Sequence, residues 1–168
     1  MSPLSRVWIL VSLNEMSPLS RVWIFQSDRF LSIDERSHIN EKLTSFLDGW
    51  AAHGAALNAS FEIVNACAVV VVLDETKQTA SGCSITSLTD LFKYFDTAFK
   101  LSFFNRFSIA HKSGSSVLLS SVDEFKALIK QGKVTENTLV YNNLVSVKQD
   151  LATKWEVPLK KSWHKRYL

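Results

Sequence analysis

Glycine is scarce in this chain, with five among 168 residues, and its scarcity excludes several classes of nucleotide-binding protein. P-loop NTPases and dinucleotide-binding folds hold phosphate groups with the backbone N–H groups of glycine-rich loops. Neither G-x-x-x-x-G-K-[ST] nor G-x-G-x-x-G occurs in the sequence. An ATPase of the P-loop type is therefore excluded. G-x-S-x-G and H-E-x-x-H, which mark many hydrolases, are missing as well.

Cysteine and long apolar runs are also scarce. Cys67 and Cys83 are the only cysteines, which is too few for a disulfide framework or for a four-ligand zinc site. The longest apolar run, residues 66–73, is far shorter than the roughly 20 residues of a transmembrane helix. No small-residue cleavage site follows the apolar stretch near the N-terminus, so no signal peptide is expected. We expect a cytoplasmic protein that uses no metal, no cofactor and no membrane.

Apolar and aromatic residues are plentiful enough to build a folded core. The chain is 46% hydrophobic and 21% charged, and it contains five Trp and eleven Phe. A disordered chain would carry few aromatic residues. The net charge of +3 is too small to indicate a polyanionic partner without a local cluster of positive charge. The composition therefore predicts one soluble globular domain.

A short repeat occupies the N-terminus, because residues 1–9 and residues 16–24 both read MSPLSRVWI. Two short copies do not fit a repeat protein, which needs longer units and more of them. Only the second copy leads directly into a predicted helix. We therefore divide the chain into a duplicated appendage, residues 1–15, and a single domain, residues 16–168. The surplus copy is expected either to be disordered or to join the sheet of a neighbouring molecule by strand exchange.

Alternating and helical patterns of apolar residues indicate the regular elements of the domain. Capping boxes at Ser32 and Ser121 mark two helix starts, and Gly54 is expected to end the first helix. His111 is expected on the solvated face of its strand. The predicted strands are 21–27, 61–64, 67–74, 107–112, 117–120 and 138–145. The predicted helices are 32–53, 87–100, 121–131 and 147–155.

The order of these elements is β-α-β-β-α-β-β-α-β-α. It predicts an α+β fold with a mainly antiparallel sheet and helices packed on one face. The first six elements have the chain order of a ferredoxin-like, split βαβ unit, to which the remaining elements would be additions.

One polar loop, residues 74–87, has residues suited to chemistry. Cys83 would be stabilised as a thiolate if it lay at the amino end of a helix, and Asp74 or His53 could then act as base or orienting group. The backbone of the loop and its hydroxyls could bind an anion. The candidate ligand-binding residues are Ser81, Gly82, Ser84, Thr86 and Ser87.

Three interpretations of this loop stay open. Ser84 or Ser87 could simply cap a helix, with Cys83 a small residue beneath it. The loop could bind a small molecule or anion without catalysis, or Cys83 could be the nucleophile of a thiol-dependent enzyme. The leading functional hypothesis is a small binding or interaction domain with a small-molecule or protein partner.

The basic tail, which follows Pro158 and ends at Leu168, supports a weaker hypothesis of nucleic-acid association. Phosphate contacts and base stacking could use its cations and its tryptophan. We favour a different interpretation, in which Trp163 and Leu168 pack on the core while the charges stay in water. The candidate nucleic-acid residues are Lys160, Lys161, Trp163, Lys165 and Arg166.

Several segments carry a resemblance to a known family. They are SRVWIFQSDR, FLDGWAAHG, ASGCSITS, DEFKALIKQGK, LVYNNLV and KWEVPLKKSWHKRYL, and they are spread along the chain from residue 20 to residue 168. With these segments the chain resembles a family of short bacterial proteins that often carry the label "ABC transporter ATPase". The resemblance implies a bacterial, cytoplasmic setting and a domain that starts near Met16. It implies no catalytic residues, and the chain lacks the Walker motifs that the label would require.

Overall fold

The computed structural model describes residues 13–168 and shows the predicted α+β class. The first sheet is antiparallel and contains β1 (Arg21–Gln26), β4 (Asn58–Val64) and β5 (Ala68–Asp74), in the order β1-β5-β4. The central strand β5 is buried from Ala68 to Leu73 because its continuous apolar run meets a layer on each face.

The first sheet has the split βαβ arrangement that the chain order predicts. Strands β1 and β4 are each antiparallel to β5, so they run parallel to one another with β5 between them. Helix α1 (Ile33–Asp48) connects them. The strand after helix α2 (Gly82–Phe99) does not return to this sheet. Instead, an isolated bridge joins Arg21 of β1 to Val147.

Alternation along β5 separates two cores. Odd-numbered residues, such as Val69 and Val71, pack with α1 and α2, while Val70 and Val72 face the opposite side. That opposite side is covered by Met16, Leu151, Trp155 and their neighbours. Leu151 and Trp155 belong to one π-helical turn, Leu151–Trp155, which follows α4 (Lys148–Asp150). The main core contains Ile39, Leu43, Leu88, Phe92 and Phe95, all fully buried.

The predicted end of the first helix is wrong. Helix α1 ends at Asp48, and a small hairpin follows, formed by β2 (Ala51–Ala52) and β3 (Ala55–Ala56). Its turn places His53 and Gly54 at φ values of 52° and 78°. Positive φ at both central residues is typical of tight hairpin turns, and glycine accepts it without strain. Gly54 therefore serves a hairpin turn instead of ending a helix.

A second sheet replaces the single sheet that the sequence suggested. It contains β6 (Ser108–Ser113), β7 (Ser116–Ser121), β8 (Leu139–Tyr141) and β9 (Glu156–Pro158), in the order β7-β6-β8-β9. Helix α3 (Val122–Lys130) packs on it and starts with the predicted capping box at Ser121. Its core contains Ile109, Phe125, Val134, Val140 and Leu159.

The predicted solvated position of His111 is wrong, because the residue is 1% exposed. Its Nε2 lies 2.8 Å from the Ser120 hydroxyl, and its ring contacts Phe125 edge to face. Burial lowers the pKa of His111 below its ordinary value. This side chain belongs to the packing of α3 on the second sheet.

The N-terminal repeat is only partly described. Its first copy lies outside residues 13–168, and so does the predicted strand exchange. The second copy forms β1, and Met16 is buried at 6% exposure. The ammonium of Lys148 donates to the carbonyl of Met16 at 2.6 Å. Among residues 13–168, no helix has the length and apolar character needed to cross a membrane.

Candidate functional site: a groove between the two sheets

A groove of about 830 Å³ lies where the end of β1 meets the second sheet. Its walls come from β1, from the segment between α2 and β6, from the end of β8 and from the C-terminal tail. The lining residues are Ile24, Phe25, Gln26, Phe103, Phe104, Asn105, Arg106, Phe107, Ser108, Ala110, Tyr141, Asn143, Leu144, Trp163, His164, Arg166 and Tyr167.

A chain of side-chain amides connects the two sheets beside the groove. Gln26, 8% exposed, donates from Nε2 to the carbonyl of Ser108 at 3.0 Å. Its Oε1 accepts from Nδ2 of Asn143 at 2.8 Å. The Oδ1 of Asn143 in turn accepts from the indole N–H of Trp155 at 2.9 Å. Because these partners satisfy buried polar atoms, the chain of amides fixes the geometry of the groove.

Aromatic rings form much of the groove surface. Phe25 packs beneath it, with its ring edge to face with Phe104 at a centroid distance of 6.1 Å. Phe104 is 42% exposed and Phe107 is 70% exposed. The Asn105 side chain holds this segment in a turn, since its Oδ1 accepts from the N–H of Phe107 at 2.9 Å. Exposed rings in a concave site offer flat apolar surface to a ligand.

The charges of the lining residues have one sign. Arg106 and Arg166 line the groove, none of its lining residues is acidic, and neither arginine forms an ion pair within residues 13–168. Arg166 lies over the ring of Tyr167, 5.8 Å from its centroid. The nearby Glu156 is already paired with Lys112. The groove therefore presents cationic donors beside aromatic surface.

His164 is the most deeply buried polar residue contributed by the tail to this lining, at 4% exposure. Its Nδ1 lies 2.6 Å from the hydroxyl of Ser162, and the ring of Trp163 stacks on it at 3.9 Å. Burial lowers the pKa of His164 to about 4. The imidazole is therefore neutral at pH 7, and the two arginines carry the charge of the lining.

The loop singled out from the sequence has a different local structure from the one predicted. Helix α2 begins at Gly82 instead of Ser87, and its N-cap is Ser81. Ser81 and Ser84 form a reciprocal capping box, with hydrogen bonds of 3.1 Å and 2.8 Å. The expected cap at Ser84 or Ser87 is therefore wrong. Cys83 is the second helical residue and is exposed, so it does lie at the amino end of a helix.

Most hydroxyls proposed as ligands in that loop already have partners. Ser81 and Ser84 are used by the cap, and the Ser87 hydroxyl donates to the carbonyl of Cys83 at 3.0 Å. Gly82 and Thr86 are exposed. Neither the groove nor a smaller depression of about 230 Å³ near Asp74 is lined by Cys83.

The three candidate catalytic residues do not form a hydrogen-bonded group. Asp74 accepts from the N–H and hydroxyl of Thr76 at 3.0 and 2.7 Å, and these bonds hold the pKa of Asp74 below its ordinary value. His53 lies in the β2–β3 turn. Within residues 13–168, Cys83 makes no hydrogen bond to either side chain. The catalytic role of Cys83 stays a prediction.

The candidate nucleic-acid residues divide into two groups. Trp163 and Arg166 line the groove, whereas Lys161 and Lys165 are exposed and Lys160 lies 3.6 Å from Glu136. The tail itself is ordered as two short 3₁₀ helices, Leu159–Lys161 and Trp163–Tyr167. Leu168 is 57% exposed, so the predicted packing of that residue on the core is wrong. The buried anchor of the tail is Leu159.

The sequence reasoning missed the segment between α2 and β6, which supplies the most exposed ring of the groove. A signal was present, since Phe103-Phe104-Asn105-Arg106-Phe107 places three aromatic residues and a cation within five consecutive residues. Gln26 gave no such signal, because its role depends on partners 82 and 117 residues away.

Known proteins offer no relative from which the role of this groove could be inferred. No protein-family model, no curated protein and no solved structure matches the chain. Within residues 13–168 there is also no group of three or more metal-ligating side chains.

Proposed function

We propose that the chain is a small binding domain whose ligand is a planar anion held in the groove between the two sheets. The observation that carries the proposal is the lining itself, which combines exposed aromatic rings with two arginines that form no ion pair within residues 13–168 and contains no acidic residue. This site replaces the Cys83 loop as the leading candidate, because the loop hydroxyls are largely used to build the start of α2.

Charge and shape act together in this proposal. An arginine guanidinium donates several hydrogen bonds and accepts none, so it favours ligands rich in acceptors, such as carboxylates and phosphates. Aromatic faces favour flat rings, and the groove volume falls in the range of small-molecule sites. A ligand that has both properties uses both kinds of surface. We place this function in the bacterial cytoplasm, the setting that the family resemblance implies.

A pair of fluorescent probes tests the proposal. The naphthalene sulfonate ANS combines aromatic rings with an anionic group, whereas N-phenyl-1-naphthylamine has similar rings and no charge. We expect saturable binding of ANS to the native protein and clearly weaker binding of the neutral probe. Arg106→Gln with Arg166→Gln should weaken ANS binding by about tenfold or more, because charge-assisted hydrogen bonds are worth more than neutral ones. Phe107→Ala should weaken binding of both probes.

Two controls make the result specific. Lys130→Gln with Lys133→Gln removes the same amount of charge at exposed positions that do not line the groove, and it should leave ANS binding unchanged. Circular dichroism and the melting temperature should show that every variant is folded, since ANS also binds loosely packed states. Equal ANS affinity in both double variants, or no saturable binding by the folded protein, would contradict the proposal.

A further inference from the structure

Two buried polar side chains of the tail form a pair whose proton positions follow from the hydrogen-bond geometry. Ser162 is 2% exposed and His164 is 4% exposed. The Ser162 oxygen accepts the N–H of His164 at 3.5 Å and lies 2.6 Å from Nδ1 of the same residue. Within residues 13–168, that Nδ1 is the acceptor available to the Ser162 hydroxyl hydrogen. If Ser162 donates to Nδ1, the proton of the neutral imidazole must lie on Nε2.

The Nε2–H group of His164 is then a donor without a partner. No hydrogen bond to Nε2 is present within residues 13–168, although the residue is more than nine-tenths buried and lines the groove. Among the described residues Nε2 is not one of the side-chain atoms that are both enclosed and unpartnered, so it is open to the groove, where a ligand acceptor can take the place of water. Because the imidazole is neutral at pH 7, this donor does not attract phosphate as a cation would. An uncharged acceptor, such as a carbonyl oxygen or a ring nitrogen, suits it.

We propose that the ligand is a nucleotide, with its phosphate on Arg106 or Arg166, its base stacked on the aromatic lining, and an acceptor on the edge of the base bound by His164 Nε2–H. This inference rests on the proposed planar-anion site and names its ligand class. A nucleotide supplies all three features, since every base has a flat face and acceptor atoms on its edge. Ser162 is a positioning residue that fixes the tautomer.

The nucleotide could be free or part of a single strand, and the two sources share this chemistry. Lys161 and Lys165 are exposed and lie on either side of Trp163 in the chain. A single strand that continued beyond the groove would gain phosphate contacts from such cations, and its binding would weaken steeply with salt. A free nucleotide would gain little from them.

The first test measures the tautomer and needs no ligand. Long-range ¹H–¹⁵N correlation spectra of the wild-type protein at pH 7 should show His164 protonated at Nε2 and not at Nδ1. Ser162→Ala should add the Nδ1–H form, and the conservative Ser162→Thr should restore the wild-type pattern. A wild-type spectrum with the proton on Nδ1 would overturn the inference.

The second test measures base preference with AMP, CMP, GMP and UMP, and with decamers of rA and rU, by isothermal titration calorimetry. We expect the wild-type protein to discriminate among the bases by about fivefold, the value of one neutral hydrogen bond. His164→Phe and Ser162→Ala should reduce this preference to within about twofold. Arg106→Gln combined with Arg166→Gln should instead weaken the binding of all four mononucleotides by a similar factor. A merely structural role of His164 would leave the base preference unchanged.

The outcomes separate this inference from the proposed function. Binding of decamers with strong salt dependence, and none of mononucleotides, would identify a single strand as the source. Comparable binding of mononucleotides and decamers would identify the free nucleotide. If ANS binds in the groove and no nucleotide or decamer does, the nucleotide inference fails while the planar-anion site stands. If ANS binding also fails, the proposed function itself is overturned.

Discussion

The ring of Phe25 stacks on the ring of Phe92 in α2, with centroids 3.7 Å apart and planes within 10°. The next residue, Gln26, joins the chain of amides between the two sheets. Phe25 and Gln26 directly follow the second copy of the repeat, whereas Leu10 and Val11 follow the first copy. Two residues that distinguish the copies therefore help to hold β1 in place, beside the pairing of the whole strand with β5. This difference gives a physical reason why the second copy forms β1.

Replacing Phe25 with leucine, the residue that follows the first copy, tests this reason. We expect Phe25→Leu to lower the free energy of unfolding by about 1–3 kcal/mol, because it removes a stacked ring and leaves space against α2. Urea denaturation followed by circular dichroism measures the change. The control is Phe30→Leu, the same substitution at a position that is 44% exposed. Equal effects at the two positions would show that the stack with Phe92 contributes nothing specific.

Deleting residues 1–15 tests the division of the chain into appendage and domain. We expect the shortened protein to fold, because β1 and its partners all lie after residue 15. The structure adds a finer expectation, since Leu13 packs beside Met16 and the carbonyl of Asn14 accepts from Lys148 at 3.4 Å. Deletion of residues 1–15 should therefore lower the melting temperature more than deletion of residues 1–12, which keeps both contacts. A deletion of 1–15 that abolished folding would contradict the division.

Short-range signals predicted much of the fold. The capping boxes at Ser32 and Ser121 mark true helix starts, because each needs only four consecutive residues. The predicted strands 61–64 and 67–74 are also present, as β4 and β5, and the turn that joins them places Asn65 and Ala66 at positive φ. The predicted helix end at Gly54 is wrong because the true end depends on a contact with a distant part of the chain. Trp50, whose indole N–H donates to the carbonyl of Ser84, packs against α2, and the chain then turns as a hairpin.

Long-range pairing was beyond the reach of the sequence patterns. The apolar alternation of β6 fits either sheet equally well, and the choice depends on its pairing with β7 and β8. The solvated position predicted for His111 failed because α3 covers that face with Phe125. The groove is formed where both sheets and the tail meet, so no single window of sequence contains it. Trp163 and Arg166 were singled out for their residue type, and the structure adds their neighbours.

Acid should destabilise the protein through His164. Its pKa in the native state is about 4, below the ordinary 6.5, so the unfolded chain binds a proton that the native chain does not between these values. The contribution of the neutral His164 imidazole to the free energy of unfolding is complete above pH 6.5 and is lost as the pH falls towards 4. Between pH 7.5 and 5 the loss should be about 2 kcal/mol. His111, whose pKa is also lowered by burial, contributes in the same direction.

Urea unfolding of variants at the two pH values isolates this effect. His164→Gln should reduce the loss of free energy between pH 7.5 and 5, because the side chain no longer titrates. His53→Gln, at an exposed position in the β2–β3 turn, serves as the control and should keep the wild-type dependence. A wild-type free energy of unfolding that does not fall over this range, or falls equally in His164→Gln, would refute the assignment to His164.

The two cysteines should differ sharply in their reaction with iodoacetamide. Cys83 is exposed, whereas Cys67 is 2% exposed and burial raises the pKa of its thiol to about 12. We expect one adduct on the native protein, located at Cys83 by peptide mass spectrometry, and two adducts in denaturant. A native adduct at Cys67 would contradict the packing of β5. The thiolate is the reactive form, so a thiol that stays protonated and covered is inert.

The rate at Cys83 also tests the thiol-enzyme hypothesis. A nucleophile activated by its surroundings should react at pH 7 about tenfold faster than glutathione, an unactivated thiol. If Asp74 or His53 takes part, Asp74→Asn or His53→Gln should slow the reaction, while Asp48→Asn, an exposed carboxylate at the end of α1, should not. Because Cys83 hydrogen-bonds to neither Asp74 nor His53 within residues 13–168, we expect no effect of these substitutions, so any acceleration would come from its place in the first turn of α2. Accelerated alkylation that depends on Asp74 or His53 would return Cys83 to the leading position.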